Sequence, residues 1–212
     1  MSDIQIGLVV NAVGLPKERE RLMESVRELS FQPHAVAVVT EAEYGDADMT
    51  KFNPNRARNI GIRALLPQVD GIVCLDADYI VPPGLFDICA EPHMQKFHIW
   101  IRRRDITEEQ AKPRNWKQWL NLPVFPDCWG SCSYLSCHNW KVIGGWNEKA
   151  YGWGGDDDLL MLESGKRGIE RRRIDMFPLM HIAHEPRPFS GINSRGNENM
   201  KLAPLQQDNY LS

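Results

Sequence analysis

Three short runs of apolar, often β-branched residues punctuate the N-terminal part of the chain and constrain its fold more than any other feature. They are IQIGLVV (4–10), HAVAVVT (34–40) and DGIVCLDAD (70–78). Each has the length and composition of a buried strand. Segments with helical spacing of apolar residues separate them, at 16–29 and 55–66. Such an alternation predicts right-handed βαβ units and a mostly parallel sheet with helices on its faces.

The rest of the chain has a less regular pattern, but the same criteria assign elements to it. Apolar runs predict strands at 97–104 and 129–136, and helical spacing predicts helices at 138–146 and 157–168. One or two final strands are expected within 169–185. Because 212 residues are enough for one sizeable core, we expect a single α/β domain.

Composition excludes several classes of protein. Hydrophobic residues make up 42% of the chain and charged residues 25%, as in globular rather than disordered proteins. The net charge of -3 gives no general attraction to nucleic acid, although the basic runs at 102–104 and 166–173 leave an anionic partner open. No apolar run reaches the roughly 18 residues of a membrane span. The N-terminus lacks the pattern of a signal peptide, so we expect a cytoplasmic protein, and its five cysteines predict free thiols.

A pair of aspartates closes the third predicted strand. Asp76 and Asp78 lie at its carboxyl end, which is the edge of a parallel sheet where ligands bind. Carboxylate oxygens suit Mg²⁺ or Mn²⁺, whose coordination is usually completed by phosphate oxygens of a substrate. A strand end closed by a polar turn would show the same short pattern. The motif alone therefore leaves both interpretations open.

Two histidines, His181 and His184, lie in the last predicted strand. Imidazole is an acceptable ligand for Mn²⁺, although it suits later transition metals better. Residues at this spacing point to opposite faces of a regular strand, and they converge only at a bend or a helical turn. One buried, hydrogen-bonded histidine and one exposed histidine would explain the pair equally well.

The stretch YGWGGDDD (151–158) places an aromatic ring, glycines and three consecutive aspartates directly before an apolar helix. Glycines on both sides of Trp153 give that loop freedom to move, and a flat ring stacks well on a sugar or a base. One acid is enough to cap a helix. The three acids Asp156, Asp157 and Asp158 exceed that need, and they offer a carboxylate that could deprotonate a hydroxyl.

The stretch NRARNIG (55–61) opens a predicted helix with two arginines, Arg56 and Arg58. Cations beside a helix N-terminus form a site for an anion such as a diphosphate. A solvated basic helix face would give the same pattern.

Taken together and in this order, these motifs resemble those of GT-A fold glycosyltransferases that use nucleotide-sugar donors. The resemblance is to the C-terminal catalytic region of the inverting β-galactosyltransferase and N-acetylgalactosaminyltransferase family, and to the large family of inverting bacterial transferases. It extends over about residues 52–187 and is carried by FNPNRARNIGI, DGIVCLDADYIVPP, GGWNEKAYGWGGDDD and HIAHEP. It implies transfer of a sugar from a UDP-sugar to an acceptor hydroxyl with inversion of configuration.

The resemblance also implies roles for residues of the donor site. Asp78 corresponds to the last acid of the DxD motif, which binds Mn²⁺ (or Mg²⁺) bridging the donor diphosphate, and Asp76 to an acid beside the ribose or sugar. His181 and His184 match the spacing of the family's further metal ligands. Arg56 matches an arginine that contacts the nucleotide.

The glycine-acid motif carries the remaining implied roles. Trp153 matches a mobile tryptophan that closes over donor and acceptor, and Gly155 belongs to the same donor-binding motif. Asp157 matches the acid that serves as general base. Asp156 stands where the family has a glutamate that contacts acceptor or donor sugar, so this shorter side chain puts that contact in question.

The resemblance divides the single domain into a nucleotide-binding half (1–80), an acceptor and catalytic half (81–187) and an irregular tail (188–212). Family members from vertebrates carry a membrane anchor and stem, whereas this sequence shows neither. We therefore expect a soluble form of bacterial or phage origin, with its acceptor (a glycan, a small molecule or a modified nucleic acid) left open.

Two other functions fit parts of the sequence. In a metal-dependent nucleotidyltransferase, the DAD motif and the second acid cluster would bind two metal ions. Such an enzyme would favour a glycine-rich loop that binds phosphate near the first strand. The segment after that strand, NAVGLPKERE, has a single glycine, which makes it a poor phosphate-binding loop. A non-catalytic binder of glycans or nucleic acid would instead use the two basic runs, which solvated strand edges explain equally well.

Overall fold

The computed structural model shows one mixed sheet with helices packed on both faces. It describes residues 3–45, 52–112, 114–124, 132–150, 154–182, 199–202 and 208–211. The strands in this part of the chain are β1 (Ile6–Asn11), β2 (Ala35–Val39), β3 (Gly71–Asp76), β4 (Tyr79–Ile80), β5 (Phe97–Ile106), β6 (Cys132–Ser136) and β7 (Glu170–Ile182). The helices are α1 (Pro16–Arg27), α2 (Glu41–Tyr44), α3 (Pro54–Leu65), α4 (Leu85–Cys89), α5 (Glu108–Ala111), α6 (Trp116–Trp119), α7 (Cys137–Ile143) and α8 (Asp156–Lys166).

The order of the strands brings one set of strand ends together. The order is β2-β1-β3-β6-β5-β7-β4. Strands β1, β2, β3, β5 and β7 run in one direction, whereas β6 and β4 run against it. The predicted mostly parallel α/β sheet is therefore confirmed. The carboxyl ends of β1, β3, β5 and β7 meet at one edge, which we call the carboxyl edge.

Apolar side chains cover both faces of the sheet. One core cluster lies between the sheet and helices α1 and α4, and a second lies under α3, α7 and α8. In the second cluster the buried Trp140 donates its indole N–H to the carbonyl of Ile72, at 3.2 Å, which ties α7 to β3. Of the described helices, none is both long and apolar enough to cross a membrane.

The described cysteines agree with the prediction of free thiols. Cys74, Cys89, Cys132 and Cys137 are all buried and unpaired in disulfides. Cys128 lies outside the described residues.

The structure adds two details to the sequence-based expectation. The polar segment after β2 contains the short helix α2, because Thr40 and Glu43 form a reciprocal capping box at its start. The final segment forms one long strand, in agreement with the one or two strands expected. Its pairing with β5 shifts from Ile101–Ile174 to Arg103–Leu179, so β7 carries a bulge.

Close packing of α3 against β1 depends on Gly61. A Cβ atom at this position would lie 2.5 Å from Cγ1 of Val9 and 3.3 Å from Cγ2 of Val39. Both valines are β-branched, buried strand residues with little freedom to move aside. The absence of a side chain at Gly61 therefore sets how closely α3 approaches the sheet.

We expect Gly61→Ala to destabilise the fold by about 1–3 kcal/mol, because the added methyl group overpacks the contact with Val9. Gly165→Ala is the matched control within α8. Nothing lies within 4 Å of a Cβ at Gly165, so this change is expected to stabilise by about 0.5–1 kcal/mol through helix propensity. Urea denaturation of both variants measures the difference. Equal stability of the two variants would contradict the packing role of Gly61.

Candidate active site

A buried arginine joins three elements at the carboxyl edge. Arg58, on α3, donates from Nη2 to Oδ2 of Asp76, at 2.9 Å, and from Nη1 to Oδ2 of Asp156, at 2.8 Å. Its guanidinium carbon lies 4.4 Å from the ring centroid of Trp146. Burial disfavours the cation, but attraction to Asp76 and Asp156 outweighs that effect and raises the pKa of Arg58 above its ordinary value. The side chain therefore fixes the end of β3 and the start of α8 relative to α3.

Asparagines on α3 hold the segment that leads toward α8. Asn55 donates from Nδ2 to the carbonyls of Asn147 and Ala150, at 3.1 and 3.0 Å. Asn59 donates to the carbonyl of Trp146 and accepts a hydrogen bond from its backbone N–H, both at 2.9 Å. Only the arginines of this helix were predicted to belong to the site. The four-residue spacing of these two asparagines on a buried face was the signal that could have identified them.

The three consecutive acids occupy the first turn of α8. The preceding Gly154 and Gly155 have φ angles of 94° and 77°, a backbone conformation that suits glycine. Farther along the helix, Ser164 lies 2.8 Å from Nδ1 of the buried His98 on β5, through its hydroxyl oxygen. Burial, with a contribution from Arg171, lowers the pKa of His98 to about 3, so this ring is neutral. The polar contact anchors α8 to the sheet.

The acids of α8 have different environments. Asp156 is bound by Arg58, as described above. Asp157 is partly buried, and its Oδ1 is shielded from solvent without a hydrogen-bond partner among the described residues. Burial and the neighbouring charge of Asp156 raise the pKa of Asp157 well above its ordinary value, although Arg58 acts in the opposite direction. The pKa of Asp158 is also raised, by burial and by Asp156. In the folded protein, Asp157 therefore binds a proton more readily than an ordinary aspartate does.

The two acids of the DAD motif face different partners because the chain turns between them. Asp76 is the last residue of β3 and accepts a hydrogen bond from Nδ2 of Asn11 on Oδ1, at 3.0 Å. Asp78 is buried, and its Oδ2 lies 3.7 Å from Nε2 of His181 on β7. The other ring nitrogen of His181, Nδ1, lies 2.9 Å from Oδ1 of Asp105.

The cluster of Asp78 and His181 fits the chemistry of a divalent cation. A carboxylate oxygen and an imidazole nitrogen 3.7 Å apart can both reach one ion, and both are accepted by Mn²⁺. Within the described ranges, no group of three or more His, Cys, Asp or Glu side chains converges as a complete metal cage. A cation at this position would therefore need further ligands, such as the phosphate oxygens of a substrate. His184, a further predicted ligand, lies outside the described residues.

The other predicted residues lie at the border of this site or outside the described part of the chain. Arg56 is exposed on the first turn of α3, and its guanidinium carbon lies 4.9 Å from the ring centroid of Tyr44. Arg58 was predicted beside it as an anion ligand, but its guanidinium is engaged by carboxylates. Trp153 lies outside the described residues, so its loop role stays a prediction.

The basic runs are partly neutralised within the strands that carry them. Arg102 and Arg173 lie 3.6 and 2.9 Å from carboxylate oxygens of Asp175. The guanidinium carbon of Arg172 lies 4.7 Å from the ring centroid of Phe97. Part of the positive charge of the two basic runs is thus balanced by contacts within the chain itself.

The chain is similar to known proteins both in part of its sequence and in its fold. Residues 122–185 match the family described as the N-terminal domain of galactosyltransferase. No curated protein matches the sequence at a significant level. Solved structures match over most of the chain, at low sequence identity.

Three of these structures illustrate the similarity. A Drosophila β1,4-galactosyltransferase 7 variant, in complex with manganese, UDP-Gal and xylobiose, is 15% identical and superposes with a TM-score of 0.61, over 85% of this chain and 71% of that one. Staphylococcus aureus TarS 1–349 with UDP-GlcNAc is 12% identical, with a TM-score of 0.67, over 96% and 66%. Mycobacterium tuberculosis glucosyl-3-phosphoglycerate synthase with Mn²⁺, UDP and phosphoglyceric acid is 14% identical, with a TM-score of 0.58, over 93% and 76%.

The chain has the GT-A glycosyltransferase fold. The fold that the resemblance of the four motifs implied is therefore confirmed. In this GT-A domain, the described residues Asp76, Asp78 and His181 of these motifs lie at the carboxyl edge of the sheet, where open α/β sheets bind their ligands.

Replacing Arg58 tests its place at the centre of this arrangement. We expect Arg58→Met to destabilise the fold by about 3–5 kcal/mol, because it leaves Asp76 and Asp156 without a buried counter-charge. Arg63→Met on the same helix is the control, since that exposed arginine lies 3.7 Å from Glu148 and is expected to matter by about 0–1 kcal/mol. Thermal and urea unfolding measure both. A loss of less than about 1 kcal/mol for Arg58→Met would show that the three elements are held by other contacts.

The raised pKa of Asp157 predicts how stability depends on pH. Unfolding returns the side chain to a pKa of about 3.9, so ionised Asp157 opposes folding above its folded-state pKa. This cost shrinks as pH falls through the folded-state pKa and vanishes below about 4, where the side chain is protonated in both states. We therefore expect Asp157→Asn to be more stable than the wild type by about 0.5–2 kcal/mol at about pH 8, with the gain shrinking toward about pH 4.

The control for this measurement is Asp87→Asn, at an exposed acid in the first turn of α4. That variant loses a favourable interaction with the helix dipole, so it should be slightly less stable, by about 0.3–1 kcal/mol. Urea denaturation across the pH range compares the two variants. A stabilisation by Asp157→Asn that does not change with pH would contradict the raised pKa.

Proposed function

We propose that this chain is a metal-dependent inverting glycosyltransferase that moves a sugar from a UDP-sugar to an acceptor hydroxyl, with Asp157 as general base. The observation that carries the proposal is the difference between the environments of the three acids. Asp76 and Asp156 are occupied by Arg58, whereas Asp157 keeps a shielded oxygen without a hydrogen-bond partner in the described part of the chain. A base of this kind needs an available oxygen and a raised pKa.

The donor side of the site is supported by the pair formed by Asp78 and His181. Asp78, His181 and His184 would hold the cation, which we propose to be Mn²⁺, with Mg²⁺ as the alternative. Two of the similar structures contain manganese together with UDP or a UDP-sugar. When bound, the cation supplies Lewis-acid stabilisation of the negative charge on the departing diphosphate.

The chain's own residues account for the other steps. Asp157 takes the proton of the acceptor hydroxyl as that oxygen attacks the anomeric carbon. The bond from this carbon to the diphosphate oxygen breaks on the opposite side, and its electron pair leaves with UDP. A single displacement of this kind inverts the anomeric configuration. Arg58 keeps Asp156 and Asp76 fixed on either side of the reacting groups and so positions Asp157 without contacting the substrate.

Residues around this centre would bind the donor and the acceptor. Asp76 and Asp156 would contact the sugar and ribose of the donor, and Gly155 would leave room for close approach because it has no side chain. Arg56, exposed at the start of α3, is available to the nucleotide, and Trp153 to a stacking contact. Xylobiose in a similar structure favours a glycan as the acceptor class.

A donor screen with point variants tests this proposal. We expect the wild type to release UDP from at least one UDP-sugar in the presence of Mn²⁺ and to transfer the sugar to a glycan acceptor. Asp78→Asn should lose both activities through weaker binding of the cation and diphosphate. Asp157→Asn should keep donor affinity and lose transfer by about 10²–10⁴-fold, the typical contribution of general-base catalysis.

Asp175→Asn is the matched control, because this exposed acid on β7 pairs with Arg173, away from Asp157. It should retain full transfer activity. Wild-type transfer rates in Asp157→Asn would assign the base to another group. If a nucleoside triphosphate with Mn²⁺ raised the melting temperature while UDP did not, the nucleotidyltransferase alternative would replace the proposal.

A further inference from the structure

His181 lies between two carboxylates that belong to different strands. Its Nε2 faces Oδ2 of Asp78, at 3.7 Å, and its Nδ1 lies 2.9 Å from Oδ1 of Asp105. Asp105 is directly opposite His181 in the parallel pairing of β5 and β7. Their close approach is therefore set by the register of the sheet rather than by a flexible loop.

The short contact with Asp105 decides which ring nitrogen carries the proton. An ionised carboxylate can only accept, so Nδ1 of a neutral His181 must donate to it. The neutral ring has a single N–H, and Nε2 is then left with its lone pair. The atom that faces Asp78 is consequently the one able to bind a cation.

Asp105 is itself held in place from the other side. Nε of Arg103 lies 3.3 Å from the same Oδ1, and Nη1 of Arg103 lies 3.5 Å from the hydroxyl oxygen of Tyr79. The ring of Tyr79 in turn lies 5.3 Å from that of His181, between centroids. The imidazole is thus constrained by its hydrogen bond at one side and by an aromatic ring at another.

We infer that Asp105 is a positioning residue that fixes the ring orientation and the tautomer of His181, so that an unprotonated Nε2 faces Asp78. This inference rests on the proposed function for its purpose, which is to present His181 as a ligand. In metal sites, a carboxylate bound to the second nitrogen of a ligating histidine typically changes metal affinity by about 10–100-fold. No motif indicated Asp105, because nothing in its local sequence distinguishes it from any other acid at a strand end.

The tautomer is measured directly by ¹⁵N NMR of the metal-free protein at about pH 8, because the two ring nitrogens of a histidine are distinct. The chain has six histidines, so the spectrum of His181→Gln assigns the signals of His181. In the wild type we expect an Nε2 signal of the unprotonated kind and an Nδ1 signal of the protonated kind. In Asp105→Ala the two tautomers should mix, and in Asp105→Glu the wild-type pattern should be at least partly restored.

Binding of Mn²⁺, measured by electron paramagnetic resonance with and without UDP, tests the consequence. We expect Asp105→Ala to bind Mn²⁺ about 10–100-fold more weakly, with Asp105→Glu between it and the wild type. Asp175→Ala is the control, since it removes an acid of β7 that pairs with Arg102 and Arg173, and it should bind as the wild type does.

The two measurements separate the inference from the function on which it rests. An unchanged tautomer of His181 in Asp105→Ala would overturn the inference, whatever the metal affinity. The wild type could instead show the expected tautomer but bind no Mn²⁺, even with UDP. That result would support the role of Asp105 and refute the metal-dependent part of the proposed function. Circular dichroism and the melting temperature of each variant show whether it is folded.

Discussion

The guanidinium of Arg58 is the contact on which the arrangement of the site depends. It is a single positive charge shared by two carboxylates that come from β3 and α8. Burying these charges is costly, and the cost is offset only because the hydrogen bonds have good geometry and the second oxygen of Asp76 is bound by Asn11. An alternative packing of α8 would leave a buried carboxylate or a buried guanidinium without its partner. The ion pairs therefore specify one geometry more than they add stability.

The state of Asp157 follows from the same shared charge. Arg58 offsets part of the negative charge of Asp76 and Asp156, and among the described residues no second cation forms an ion pair with Asp157 at the start of α8. Burial and repulsion by Asp156 thus outweigh the attraction of Arg58, and they raise the pKa of Asp157. An N-terminal turn of a helix would ordinarily favour ionised acids. In this protein desolvation and like charge prevail, so the pKa values of Asp157 and Asp158 are both raised.

Much of the fold could be predicted from the sequence, because its strongest signals are local. The apolar runs located β1, β2 and β3, and helical spacing together with a proline or an acidic turn located α1, α3 and α8. The two-residue strand β4 could not be predicted in this way, since it exists only through pairing with His181 and Met180 on β7. The bulge in β7 could not be predicted either, because it arises from the pairing of β7 with β5.

The residues of the candidate site could likewise be predicted only in part. Acids at strand ends and helix starts indicated Asp76, Asp78 and Asp157 as candidates. Their partners were not visible, because the contacts join distant positions; Arg58 and Asp156, for example, are 98 residues apart. The interpretation of Arg58 as an anion ligand came from its immediate neighbours. The folded chain brings protein carboxylates to that cation, which local sequence cannot show.

The turn between Asp76 and Asp78 connects the two electrostatic environments of the site. The backbone N–H of Ala77 donates to the carbonyl of Asn11, at 3.1 Å, and the N–H of Ile182 donates to the carbonyl of Asp78, at 3.0 Å. The first bond directs Asp76 toward Arg58, and the second brings Asp78 against β7 and His181. Carboxylates two residues apart thus face different partners, a buried ion pair for Asp76 and His181 for Asp78. Both hydrogen bonds are formed by backbone groups. The divergence of Asp76 and Asp78 is therefore set by the backbone of the sheet and does not depend on neighbouring side chains.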